Sequence, residues 1–189
     1  NNVRSPASAK GVLTMTAVKK KSWGLLKPIA VAIILAAFVR YYLFAHIMVE
    51  GHSMMPTLKD RDHIIICKIC YKLAQPKRFD IVVFHATEQA DYIKRVIGLP
   101  GDTIEYKNDV LYVNGKSVDE PYLDAFKAKT EGLLTYNFKA KVPKGTVFVL
   151  GDNRRNSRDS RYIGAIPEDE LIGKAVLLFW PLRDFKLID

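Results

Sequence analysis

A run of 22 residues, Trp23 to Phe44, holds no acid and only two cations, Lys27 and Arg40. Wound as an α-helix it would extend about 33 Å at ~1.5 Å per residue, close to the hydrocarbon thickness of a bilayer. Its uninterrupted apolar core, Pro28 to Val39, is short, a length shared by signal-peptide cores and buried helices. Both cations lie near the ends, where long side chains reach the headgroups, and Trp23, Tyr41 and Tyr42 suit the two interfaces. No small-x-small cleavage site follows Val39, because Arg40 and several aromatic residues intervene. The segment is read as an uncleaved single-pass anchor, residues 22–45, with 1–21 cytoplasmic and 46–189 an extracytoplasmic catalytic domain. Residues 1–14 precede Met15, an alternative start, and are read as introduced or read-through sequence without function.

The charge balance agrees with an anchor. Of the net +9, seven charges come from Arg4, Lys10, Lys19, Lys20, Lys21, Lys27 and Arg40, leaving +2 for residues 50–189. Excess cations beside an apolar segment mark its cytoplasmic flank. No basic stripe with interleaved aromatics remains for nucleic acid, which is excluded as a partner.

Beyond the anchor, short β-branched runs alternate with turn signals, the pattern of an antiparallel, mainly β domain. Ile64–Cys67, Ile81–Phe84, Tyr92–Ile97, Thr103–Tyr106, Val110–Val113, Val147–Leu150 and Ala175–Trp180 read as strands. Asn108-Asp109 and Asn114-Gly115 read as hairpin turns. Pro167–Leu171 can start one helical turn. An insert spans about 103–142, and its part from Asp119 to Val142 is weakly patterned and expected to be irregular.

Cys67 and Cys70 form a lone Cys-x-x-Cys. A zinc site needs about four ligands, and neither a second pair nor spaced histidines are present. On an extended strand, positions three apart face opposite sides, so without a turn a disulfide is disfavoured and two packed thiols are expected. No metal or cofactor is implied.

Ser53 sits in Gly51-His52-Ser53-Met54-Met55-Pro56-Thr57-Leu58. A hydroxyl attacks a carbonyl only when a base takes its proton. His52 is adjacent and points away on an extended segment, while His46, His63 and His85 lack an Asp partner in a recognisable motif. Lys94 is the better base. It lies in Tyr92-Ile93-Lys94-Arg95-Val96-Ile97, and burial among apolar neighbours depresses an amine's pKa until it can accept a proton. Charge pattern alone leaves open an ordinary strand-face lysine with Arg95 solvated beside it.

Three blocks decide between these readings: Ser53-Met54-Met55-Pro56-Thr57-Leu58, Tyr92-Ile93-Lys94-Arg95 through Gly98-Leu99-Pro100-Gly101-Asp102, and Gly151-Asp152-Asn153 through Ser157-Arg158-Asp159-Ser160-Arg161. In this order, over residues 19–182, the chain resembles bacterial type I signal peptidases, in their compact Gram-positive-like form. The resemblance implies a folded, twisted β catalytic domain of the signal-peptidase and self-cleaving-repressor protease type. It implies a Ser/Lys dyad, with Ser53 as nucleophile and Lys94 as general base. Ser157 is implied to orient the lysine amine, with Asp152, Asp159 and Arg161 in support, the last two as an ion pair. Oxyanion stabilisation falls to the Ser53 backbone N–H. Some members add a hydroxyl two residues before the nucleophile, where this chain has Gly51.

At matching family positions, the resemblance implies a shallow first pocket for a small side chain lined by Val49, Met54, Leu58, Tyr92 and Ile93, and a second lined by Ile47, Ile64 and Val83 that shares Ile93. The substrate is expected to add as a strand against Asp91–Ile93 and the segment before Ser53. Exported preproteins and the lipid bilayer are the implied partners, with action in the bacterial cell membrane near the export channel. Exposed apolar residues near Ile47–Met48 and Met54–Met55 would rest the domain on the bilayer. Two alternatives are a soluble self-cleaving Ser/Lys protease, disfavoured by the anchor, and a non-catalytic export-associated paralogue, disfavoured by intact Ser53, Lys94 and Ser157.

Overall fold

The computed structural model describes residues 17–87 and 90–188; residues 1–14, read above as functionless, lie outside them. The chain divides into two units at Val39 and Arg40. The first contains helix α1 (Ala17–Phe38). With the turn that follows it, it forms a helix long and apolar enough to cross a membrane. Leu26, Ile29, Ile33, Leu35 and Phe38 are all exposed, an arrangement that lipid rather than water would solvate. One wider helical turn, Val39–Leu43, ends it. The strand that follows starts at Phe44, so the last two residues of the anchor expected at 22–45 are already paired in the sheet.

The second unit is built on antiparallel strands. The first four are β1 (Phe44–Met48), β2 (His63–Cys67), β3 (Ile81–Thr87) and β4 (Ala90–Gly98). The insert contributes β5 (Thr103–Lys107), β6 (Val110–Val113), β7 (Lys116–Val118) and β8 (Phe138–Lys141). The chain returns as β9 (Thr146–Leu150), β10 (Ile166–Pro167), β11 (Leu171–Trp180) and β12 (Lys186–Leu187). The large sheet runs β1-β2-β11-β3-β4-β9-β10, with β12 beside β11, and the small one β7-β6-β5-β8.

Three apolar clusters explain the sequence pattern. Along β3, Ile81 and Val83 enter one cluster with Ile64, Ile66 and Leu178, while Val82 and Phe84 enter another with Val96, Val147 and Val149. Both faces of this part of the sheet are covered, so the strand reads as an unbroken apolar run instead of an alternation. The third cluster joins the sheets through Ile97, Ile104, Tyr106, Phe148 and Leu150.

Both hairpin turns have the required left-handed residues, Asn108 and Asp109 at φ 48° and 68° and Asn114 and Gly115 at φ 52° and 80°. The helical turn expected at Pro167–Leu171 is a short 3-10 turn, Glu168–Glu170. Two expectations are corrected. The stretch from Asp119 to Val142 is not irregular throughout: two short helical turns lead to β8, which pairs with β5 from Thr103↔Lys141 to Tyr106↔Phe138. Cys67 and Cys70 are joined in a disulfide, their Cα atoms 5.5 Å apart. The strand ends at Cys67 and the chain turns at once into the helical turn Cys70–Leu73, so the opposite-face argument for a continuous strand does not apply.

Candidate active site

Lys94 lies midway along β4, where the strand changes partners. Val82↔Lys94 and Ile81↔Arg95 pair it with β3, and from Arg95↔Leu150 onward its other edge pairs with β9. Up to Lys94 that second edge is open. Lys94 itself is only 4% exposed, with its amine 5.0 Å from the centre of the Tyr92 ring. Burial pushes the amine down from its ordinary 10.5 to about 8, against the opposing pull of the Asp159 and Asp152 carboxylates.

The amine is 2.9 Å from the Ser53 hydroxyl oxygen and donates to the Ile93 carbonyl at 2.9 Å. Ser53 stands in an irregular turn between β1 and β2, held from below by the third block. The Asn153 backbone N–H donates to the Ser53 carbonyl at 2.9 Å and the Asn153 side chain to the His52 carbonyl at 3.1 Å. Gly151 lets the two segments touch: a Cβ there would lie 2.5 Å from the Ser53 carbonyl oxygen and 2.2 Å from Ser157 Oγ. Gly51 is required for its conformation, φ +87°, with open space around it; its N–H donates to Asp60.

Asp152 is fully buried and takes a forked ion pair from Arg95, 2.9 Å from Nε to Oδ1 and 2.7 Å from Nη2 to Oδ2. It also accepts from the Thr57 hydroxyl, four residues after Ser53. Asp159 forms the second fork with Arg161, both contacts 2.8 Å, and accepts from the Gly151 N–H at 3.0 Å. Arg154 is buried against Glu120, Tyr106 and Tyr122, tying the third block to the insert. Burial alone would raise the Glu120 carboxyl, but Arg154 and three hydrogen bonds hold it below the usual range.

An open groove of about 600 Å³ runs over Ser53 and Lys94. Ile47, Val49, Met54, Val83, Asp91, Tyr92 and Ile93 line it, all of them expected. Leu58 and Ile64 do not: both are wholly inaccessible and pack in the core beneath, so they support the floor rather than contact a ligand. Ser157 also departs from its implied role. Its hydroxyl is buried over Gly151 with no hydrogen-bond partner among the described residues, and the lysine amine bonds to Ser53 and Ile93 instead. His85 does find a carboxylate, Asp91 at 2.8 Å, yet both are exposed, and it is Lys94 that meets the Ser53 hydroxyl.

Several groove and support residues were not anticipated: His46, Met48, Glu50, Asn156 and Arg158 on the groove, and Arg95 and Thr57 beneath. None of them stands out locally: Arg95, the charge set beside Lys94 in β4, reads as its solvated mate. Among the described residues no cluster of three metal-ligating side chains exists.

Residues 22–180 match the family model described as signal peptidase, peptidase S26. Signal peptidase I of Bacillus caldolyticus is 48% identical over 179 residues, 90% of this chain and 98% of that protein. Signal peptidase IB of Staphylococcus aureus strain Mu50 is 43% identical over 181 residues, 89% and 95% of the two chains. The crystal structure of a signal peptidase I from Enterococcus faecalis V583 superposes with a TM-score of 0.51 at 40% identity, over 53% of this chain and 97% of that one. With a match of this extent, the chain belongs to the signal peptidase family, peptidase S26.

Proposed function

We propose that this protein is a membrane-bound serine endopeptidase that removes signal peptides from exported preproteins, using Ser53 as nucleophile and Lys94 as its base. The observation that carries this reading is the contact of a buried lysine amine, depressed to about 8, with the Ser53 hydroxyl at 2.9 Å. Neutral Lys94 accepts the hydroxyl proton as Ser53 Oγ attacks the carbonyl carbon. The resulting ammonium returns that proton to the leaving amine nitrogen as the peptide bond breaks, leaving an ester on Ser53. Lys94, neutral again, takes a proton from water as its oxygen attacks the ester, then returns that proton to Ser53 Oγ as the ester C–O bond breaks, freeing the Ser53 hydroxyl and a new carboxylic acid that ionises to solvent. The Ser53 backbone N–H faces the developing oxyanion.

The substrate lies as an added strand along the open edge of β4 at Asp91–Ile93. Ile47, Val49 and Val83 form a shallow floor that suits small side chains such as Ala before the cut. α1 spans the membrane with its lysine-rich N-terminal flank in the cytoplasm, as the distribution of cations favours. The catalytic unit then works on the outer face of the cell membrane, near the export channel. Purified protein in detergent should cut a preprotein once, after an Ala-x-Ala sequence, as read by mass spectrometry. Ser53→Ala should leave the preprotein intact. Cleavage by Ser53→Ala at the wild-type rate would refute the assignment.

A further inference from the structure

The third block carries four arginines, and three are committed to structure. Arg154 is buried on Glu120, Arg155 donates to the carbonyls of Glu131 and Leu133, and Arg161 pairs with Asp159. Arg158 is exposed, lines the groove, and has neither ion pair nor hydrogen bond among the described residues. A guanidinium free of partners beside a nucleophile is available to a ligand.

Strand pairing locates it along the substrate. The open edge of β4 closes at Arg95, where β9 takes over with Arg95↔Leu150 and Val96↔Val149. A peptide added to that edge must therefore leave the sheet near the scissile bond. What it meets on leaving is the segment after β9, since Asn153 and Gly151 lie directly against Ser53. With the residues before the cut along Asp91–Ile93, as proposed above, those after the cut pass over this segment, which carries Arg158 on the groove. The other arm of the groove carries the acids Glu50 and Asp91, so the two arms differ in sign.

Resting on the function proposed above, we propose that Arg158 is a specificity residue that favours an acidic side chain at the first or second position after the cut. A guanidinium fork matches a carboxylate with two parallel hydrogen bonds. The pair would be exposed, so its effect is modest and sensitive to salt.

The test uses peptides spanning a cleavage site, identical except for Glu, Gln or Lys at those two positions, with kcat/KM measured on the detergent-solubilised full chain. Wild type should prefer Glu over Lys roughly three- to tenfold at low salt, the sum of one attraction gained and one repulsion avoided. About 0.5 M salt should flatten the preference. Arg158→Gln should bring the ratio near one, Arg158→Lys should keep its direction, and Arg158→Glu should invert it. Glu placed two residues before the cut should not help. A wild-type ratio of one, or the same ratio in wild type and Arg158→Gln, overturns the proposal. If Arg158→Glu does not fold, Arg158→Gln and the salt series on wild type still decide. Failure of the underlying function looks different, because then none of the peptides is cut.

Discussion

Lys94 and Ser53 are 41 residues apart in the chain, and the lysine amine stands 2.9 Å from the serine hydroxyl. The contact depends on the third block, which lifts the Ser53 turn from below through Asn153 and Gly151. Asp152 fastens the same turn at Thr57. The dyad is therefore a tertiary feature, built by three segments and stable only while they stay packed.

The rate should follow the ionisation of Lys94. Only the neutral amine can accept the serine proton, so kcat/KM should rise with pH, about tenfold per unit at low pH, and level off above about 8. A pH–rate profile with cleavable peptide checks this. A rise that continues to the ordinary lysine value would mean the amine is solvated.

Burying this amine should cost stability, and the cost has a definite pH window. The folded value is about 8 and the ordinary value 10.5. Below pH 8 the folded protein must hold a charged amine in a dry site. Between the two values the folded state sheds its proton first, so stability rises with pH across that range. Lys94→Met should thus be inactive yet more stable than wild type at pH 7, by up to about 3 kcal/mol. The advantage should fade as pH approaches 10.5. Urea denaturation at several pH values measures it.

Gly151→Ala should damage catalysis more than folding. The added methyl falls 2.5 Å from the Ser53 carbonyl oxygen and 2.6 Å from Ser157 Cβ, so the Ser53 turn must move. A displacement of about 1 Å in a catalytic group costs on the order of a hundredfold in rate. Turnover and thermal unfolding, measured side by side, separate the two effects.

Arg95→Ala should be strongly destabilising, because it leaves the Asp152 carboxylate buried without its cation. The expected loss is about 3–5 kcal/mol. Replacing both partners at once, as Arg95→Met with Asp152→Leu, should cost less than Arg95→Ala alone. Denaturant midpoints for the two proteins check the order.

Much of this architecture is legible locally. The strands of the large sheet show as β-branched runs, and the Asn108-Asp109 and Asn114-Gly115 turns carry residues that tolerate left-handed backbone. Three polar blocks stand out against that background. What cannot be read locally depends on which faces are covered. Leu58 and Ile64 look like any other apolar residue near Ser53, and only packing sends them to the core while Val49 and Ile47 reach the groove. β8 is hidden because Phe138-Lys139-Ala140-Lys141 is half charged, with its lysines turned to solvent. Arg95 reads as the solvated mate of Lys94, yet its side chain is buried on Asp152, a residue 57 positions away. The Cys67–Cys70 bridge depends on where β2 stops, a boundary that neighbouring residues do not mark.

The most direct test is to titrate Lys94 itself. The full-length protein, carrying isotope-labelled lysine side chains and solubilised in detergent, would be followed by NMR from neutral to high pH, with Lys94→Met assigning the signal. The amine should lose its proton near pH 8. A titration at the ordinary value of about 10.5 would leave Ser53 without a base and contradict the account.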